Sequence, residues 1–421
     1  MATLKHRQRN NPVKLVRVLI AVTMALAGFG CRPAAPVPAT GAAPELISSR
    51  DPPIVPETFS LGDGIQLHIG AEETLLPNGA LGLSYTPDIG VGVIDNEPGK
   101  LRLVFAAGYD SYLVEGTDIK HLTKATKILS PTGRETDFDN GDTGISQVIR
   151  AGGRLFAIYH AEDHHGLPKT KDSGDPGFYA SVGLVESQDN GQTWIRRGQI
   201  IKSDKPKEYK FYPDHTTRGN GLPGAVNDPA GRYAYVYYTD LSPEDGRGVQ
   251  VCMARADLNE GPPLPGRWKK YYQGEFSEPG IGGKNTPVLS AVAFDEGQAL
   301  YPHVTWSDYL KKYAMVFNVS CWKEPQGGKP PALSGIYWAM SSDGLQWSQP
   351  VKLVTDYPYQ IAGKSMSTEP TIIFDDREGR TGWVVYEHSP KWMGGAQDQH
   401  MEGGVPHFMV GRHFEIRRGE Q

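Results

Sequence analysis

The carboxyl groups that could do chemistry in this chain sit beside prolines at the heads of apolar segments. Asp88 lies in T-P-D-I-G-V-G-V-I, where Pro87 fixes the chain ahead of it and the small residues that follow let a ligand come close. Glu369 lies in S-M-S-T-E-P-T-I-I-F-D-D, an acid before proline that folding does not require. Asp142, in D-T-G-I-S-Q-V-I, is the matching acid of a third segment, with a turn role as its simpler reading. Two carboxyl groups flanking a glycosidic bond can hydrolyse it, one as acid and the other as base or nucleophile. The plain alternatives are turn capping for Asp88 and a solvated edge for Glu369.

Two further clusters could serve such a site. H-A-E-D-H-H brings together His160, Glu162, Asp163, His164 and His165, groups able to ligate a metal, supply a general acid or line a sugar site. Side chains alternate along a strand, so at most half of them converge. F-Y-P-D-H-T-T-R-G-N-G offers Asp214, His215, Arg218 and Asn220 among aromatic and small residues, a composition suited to sugars or acids and equally to a capped loop. His303, in Y-P-H-V-T-W, heads another segment as a companion to these groups. Tyr386-Glu387 ends a strand, and alternation lets only one of the two face inward. Trp306, Trp338 and Trp347 read as core.

Residues 1–31 carry five basic residues and no acid, with an apolar run from Val18 to Phe29. That run is shorter than a membrane span and fits an export signal. It ends at Gly30-Cys31, so lipidation of Cys31 is expected, with ordinary cleavage just after it as the alternative. Residues 32–56 are a Pro/Ala-rich tether, and 57–421 are the folded domain. The expected location is an outer-membrane or cell-surface lipid anchor, otherwise periplasmic or secreted. The formal charge of −5 falls to about −10 without the signal, and no basic stripe is present, which argues against nucleic acid. Cys252 and Cys321 could pair or remain buried thiols. No P-loop, dinucleotide fingerprint, C-x-x-C or G-x-S-x-G occurs, so no cofactor is called for. A structural divalent cation stays open.

The elements that must position these groups repeat. A third strand followed by an Asp-containing turn recurs as S-Y-L-V-E-G-T-D, V-G-L-V-E-S-Q-D, V-C-M-A-R-A-D and I-Y-W-A-M-S-S-D, ending at Asp118, Asp189, Asp257 and Asp343. Aromatic middle strands precede them, and a fifth, G-W-V-V-Y-E-H, spans 382–388. The wider last interval holds an extra loop at 272–286. With 50 Gly, 33 Pro and no long amphipathic helical window, the chain reads as all-β. Its regular recurrence predicts a β-propeller of five four-stranded antiparallel blades rather than a pair of sandwiches.

The turn S-Q-D-N-G-Q-T-W at 187–194, with its shorter copy S-S-D-G-L-Q-W at 341–347, resembles the Asp-box (BNR) repeat of sialidase-like propellers. The five-sheet count and Y-P-H-V-T-W-S-D-Y-L-K-K-Y-A-M-V-F look like the five-bladed glycoside-hydrolase-like propellers, over residues 80–415. The resemblance implies a carbohydrate ligand, with Asp88 as base or nucleophile and Glu162, Asp163 or Glu369 as acid. A sialidase would open with Arg-x-Pro. Here the first blade opens Y-T-P-D-I-G-V-G-V-I, so sialic acid cleavage is not implied. A non-catalytic propeller that binds a glycan or protein is the rival reading.

Overall fold

The computed structural model describes residues 53–167, 177–208, 218–242, 249–289, 298–320, 334–357, 365–390 and 407–419. The first strands of the described residues are β1 (Glu57–Gly62) and β2 (Ile65–Leu76), which belong to the last blade. Blade 1 is β3 (Asp88–Glu97), β4 (Lys100–Ala107), β5 (Asp110–Gly116) and β6 (Leu122–Leu129). Blade 2 is β7 (Asp142–Ala151), β8 (Arg154–Asp163), β9 (Tyr179–Ser187) and β10 (Ile195–Ile201). Blade 3 is β11 (Arg218–Asn227), β12 (Tyr233–Asp240), β13 (Gln250–Asp257), β14 (Lys269–Tyr272) and β15 (Glu275–Pro279). Blade 4 is β16 (Gln298–Ser307), β17 (Lys312–Ser320), β18 (Gly335–Ser341) and β19 (Val351–Val354). Blade 5 is β20 (Met366–Phe374), β21 (Thr381–Ser389) and β22 (Phe408–Arg418), completed by β2 and β1.

Within each blade neighbouring strands run antiparallel. The first strands β3, β7, β11, β16 and β20 pack side by side in that order, and β20 returns to β3, which closes a five-bladed β-propeller. Blades 2 and 3 are also joined by a short parallel pairing, Arg218 with Tyr179 and Gly219 with Ala180. The loop expected at 272–286 is partly the β14–β15 hairpin, a fifth strand on blade 3. Blade 5 is closed by residues 57–76, ahead of the segment that carries the repeat.

Each blade is covered on both faces by its neighbours, so strands near the axis lose the alternation of a half-exposed sheet. Every residue of β9, Y-A-S-V-G-L-V-E-S, is buried. Two inner-strand positions leave no room for a side chain. A Cβ on Gly144 would lie 2.7 Å from Ile89 of blade 1, and one on Gly92 would lie 2.8 Å from Val104 and 3.1 Å from Gln147 of blade 2. Between blades the axis is tied by side chains. Gln147 donates to the Val304 carbonyl at 3.1 Å and accepts the Ala225 amide at 2.5 Å, joining blades 2, 3 and 4.

The turns after β9 and β18 fold as their residues dictate. Asp189 Oδ1 accepts the amides of Gln192 at 3.1 Å and Thr193 at 2.9 Å, while Ser187 Oγ accepts that of Gly191 at 2.7 Å. Asp343 Oδ1 likewise accepts Leu345 and Gln346, each at 2.8 Å. An Asp closing its own turn is local chemistry and leaves no group over for catalysis.

Candidate functional site

All five inner strands carry a β-bulge near their starts, with register shifts at Asp88/Val91, Ile145/Gln147, Gly221/Gly224, Leu300/His303 and Thr368/Thr371. In blades 3, 4 and 5 the bulge reads Leu222-Pro223, Tyr301-Pro302 and Glu369-Pro370. A proline has no amide to give the ladder and suits the unpaired position. The residue before it takes a positive φ of 49°, 52° or 59°, and Ile89 of blade 1 takes 89°. Such backbone is costly for non-glycine residues and gathers where function fixes a side chain. Here it surrounds one mouth of the channel.

That mouth is two-sided. Blades 5, 1 and 2 supply Glu369, Glu387, Asp88, Asp142 and Glu162. Blades 3 and 4 supply Leu222 and Tyr301, which pack with Ile89, Phe178, Ala180 and Leu300. Glu369 Oε2 accepts the amide of Ile89 at 2.8 Å, which sets the blade 5 carboxyl beside Asp88. Asp142 and Glu162 are register partners on β7 and β8, and Glu387 pairs with Thr368, the residue before Glu369.

Glu162 is held between two imidazoles. Its Oε1 lies 3.0 Å from His160 Nε2 and its Oε2 lies 2.6 Å from His164 Nε2. The Leu222 amide donates to His160 Nδ1 at 3.1 Å, so the His160 proton sits on Nε2 and points at Glu162. Burial would raise the Glu162 carboxyl, but the hydrogen bonds from His160 and His164 outweigh it and hold it at about 2. Its neighbours go the other way. Burial, then the charges of Glu387 and Glu162, push Asp88 well above the usual carboxylate range. Burial, then Glu162 and Asp88, do the same to Asp142. Burial, then Asp88 and Glu387, do so for Glu369. Glu387 is hydrogen-bonded to His407 Nδ1, and the His407 ring lies 4.2 Å from that of Tyr85. Burial and then the Glu387, Asp88 and Glu369 charges raise the Tyr85 phenol, so it stays protonated.

The structure thus brings Asp88, Asp142, Glu162, Glu369 and His164 together. Asp163 points away from them, accepting Asn140 Nδ2 at 2.6 Å, Lys207 Nζ at 2.7 Å and the His165 amide at 3.1 Å. His303 lies below the mouth because β16 begins at Gln298. It is buried against blade 5, its Nδ1 accepting the Ile372 amide at 3.3 Å, and burial pulls it down to about 3. It lines an axial cavity of about 240 Å³ with Gln147, Ala225 and Val304. Asn220 joins a buried network instead, donating to Asp240 at 3.0 Å and accepting Lys270 Nζ at 3.0 Å. Arg218 opens β11, its amide donating to the Phe178 carbonyl at 3.1 Å. Asp214, His215, Cys31 and Cys321 lie outside the described residues, and Cys252 is a buried free thiol.

Tyr85 and His407 carry no motif, and only the geometry places them. Glu387 is the inward member of its pair, because Tyr386 donates the other way, to Glu72 Oε2 at 2.6 Å. Among the described residues no group of three or more His, Cys, Asp or Glu is placed to hold a metal ion.

No protein-family model matches the sequence, and no curated protein matches it. Solved structures with a similar chain path include a thermostable family-43 glycoside hydrolase, at 12% identity over 80% of this chain and 92% of that one, with a TM-score of 0.43. An N-acetylgalactosamine deacetylase from F. plautii, in complex with blood group B trisaccharide, is similar at 12% identity over 82% and 95%, with a TM-score of 0.47. A mutant α-L-arabinofuranosidase from Fusarium graminearum, in complex with an iminosugar inhibitor, is similar at 12% identity over 89% and 96%, with a TM-score of 0.43.

Proposed function

We propose that this propeller is a glycoside hydrolase working at the carboxyl-lined mouth, with Glu162 as base or nucleophile and Asp88 as general acid. The observation that carries the reading is the opposite displacement of neighbouring carboxyls. Glu162 is ionised by its two imidazole partners, while burial and then the Glu387 and Glu162 charges push Asp88 toward its protonated form. Splitting two carboxyls in this way is how one site holds an acid and a base at once. The assignment reverses the roles expected from the resemblance, in which Asp88 was the base. Its support is that two imidazoles hold Glu162, while among the described residues no imidazole donor holds Asp88.

Proton flow follows from these states. Asp88 gives its proton to the leaving glycosidic oxygen as the bond to the anomeric carbon breaks. Glu162 either attacks that carbon or takes a proton from the water that does. His160 cannot swing away, being held by the Leu222 amide, so Glu162 keeps its orientation through the cycle. Leu222, Phe178 and Tyr301 pack in one apolar cluster with Ile89, the residue after Asp88, and suit the apolar face of a sugar ring. Tyr109, 37% exposed beside His164, offers a stacking surface at the rim.

The test is a panel of aryl glycosides and oligosaccharides with the wild type, Asp88→Asn and Glu162→Gln. Hydrolysis by the wild type that falls about 10²–10⁴-fold in each variant is expected. Glycan binding without turnover in all three proteins would make this a binding module instead. Export and lipidation at Cys31 belong to the same proposal. Metabolic labelling with a fatty acid, lost in Cys31→Ser, would support the anchor, and release of unlabelled protein by the wild type would refute it.

A further inference from the structure

We infer that the mouth takes a sugar bearing a free, protonated amine, in preference to its N-acetylated or acidic counterparts. The inference rests on the mouth being the glycan site, and it names the glycan class. Two buried carboxyl oxygens at the mouth, Asp142 Oδ1 and Glu387 Oε2, have no hydrogen-bond donor among the described residues. Asp142 is 6% exposed and Glu387 is 0% exposed, so water does not satisfy them freely. They sit on opposite flanks of Asp88, one on blade 2 and one on blade 5. An acceptor left bare in a buried position costs about 1–3 kcal/mol, so the pair is poised for donors brought by a ligand.

Charge decides which donors. Five carboxyls face this mouth, and the charged groups that act on Asp88, Asp142 and Glu369 are one another, Glu162, Glu387 and Asp110, with no lysine or arginine among them in the described residues. The basic partners that are present, His160, His164 and His407, each lean on Glu162 or Glu387. An ammonium carries three N–H donors and one positive charge, so it satisfies bare acceptors and offsets the crowding at once. A hydroxyl brings the donor without the charge. A uronate or sialate brings a like charge into a site already crowded with carboxyls, which costs binding.

The proton balance makes the idea measurable. In the free mouth burial, and then the neighbouring acids, push Asp88, Asp142 and Glu369 toward their protonated forms. When R–NH₃⁺ docks, one of these carboxyls ionises beside it and its proton passes to the buffer. The ammonium keeps all three of its own protons. A neutral sugar docks with no such release.

Isothermal titration of the intact protein at pH 7 with glucosamine and galactosamine, repeated in two buffers of different ionisation enthalpy, reads this release directly. N-acetylglucosamine, glucose, glucuronate and calcium chloride are the comparison probes. We expect amine sugars to bind at least tenfold tighter than the N-acetylated or neutral ones, with proton release that the others lack. Asp142→Asn and Glu387→Gln should each remove most of that preference. Equal affinity for glucose and glucosamine, no buffer dependence, or calcium binding that excludes the amine sugars would each overturn the inference. Amine binding with proton release but no turnover of any glycoside would leave it standing and sink the hydrolase reading. Turnover of neutral glycosides without amine preference would do the reverse.

Discussion

The amide of Ile89 donates to Glu369 Oε2 at 2.8 Å, so the bulge of the last blade grips the first blade at the residue after Asp88. Both ends of this bond are strained, with φ of 89° at Ile89 and 59° at Glu369. The ring closes not only through the outer strands but also at the carboxyl-lined mouth, and the closure sets two carboxyls side by side.

That crowding should be visible as pH-dependent stability. Asp88, Asp142 and Glu369 are raised in the fold and ordinary when unfolded. Above the unfolded carboxylate range the native state then binds more protons than the unfolded one, and stability falls as pH rises toward the native values. Asp88→Asn and Glu369→Gln keep the shape and need no proton. Each is expected to raise Tm by several degrees at pH 7–8, with the gain shrinking below about pH 4. A gain of equal size at pH 4 and pH 8 would contradict the assignment.

Glu162 has the opposite linkage. Its ionised form is favoured by His160 and His164, so a reaction that needs it as base should persist well into acid. His164→Ala removes the 2.6 Å contact to Oε2, and the acid limb of the kcat/KM profile should move to higher pH while the alkaline limb stays. His165→Ala, one residue on and 45% exposed, is the control that should leave both limbs in place. If the acid limb ignores His164, Glu162 is not the group that limits it.

Much of this was written along the chain. The Asp turns and aromatic middle strands announce five sheets because each turn is closed by residues adjacent in sequence. Asp88 and Glu369 stand out because a proline beside an acid at a strand head marks the bulge. What could not be read is whatever depends on ring closure. Residues 57–76 lack the repeat's grammar and take their place only when β2 pairs β22. His407, just before β22, meets Glu387 on β21, and His303 lies below the mouth because its strand begins at Gln298, five residues before it. The proposed exchange of the Asp88 and Glu162 roles likewise rests on imidazole contacts that spacing alone does not fix.

Gly221 tests how tightly His160 is set. A Cβ at this position would lie 2.7 Å from the His160 ring and 2.7 Å from Ala180 Cβ. Neither yields easily, since His160 is held by the Leu222 amide and Glu162, and the Ala180 Cβ is fixed directly to the buried strand β9. Gly221→Ala should cost about 1–3 kcal/mol in urea unfolding and lower kcat more than tenfold with KM little changed. A variant stable to within a few tenths of a kcal/mol and fully active would show that His160 has room to move.

Arg412 should be the residue on which closure of the last blade depends most. Fully buried on β22, it donates to the carbonyls of Gly70 at 2.8 Å, Leu353 at 2.7 Å and Val55 at 2.9 Å, and reaches Glu57 Oε2 at 3.2 Å. One guanidinium therefore ties the N-terminal strands to blade 5 and to the end of blade 4. Arg412→Met fills a similar volume but leaves three carbonyls without a donor, at about 1–3 kcal/mol each when buried. A loss of at least 3 kcal/mol in urea unfolding is expected. Arg412→Lys should recover only part of it, because a single ammonium cannot reach carbonyls spread across a planar fork. Early proteolysis in the 53–76 segment of Arg412→Met, with the remaining chain still folded, would show that the defect begins at this seam. Uniform loss of structure at one denaturant concentration would instead make the seam part of a single cooperative unit, and full stability would remove Arg412 from the account.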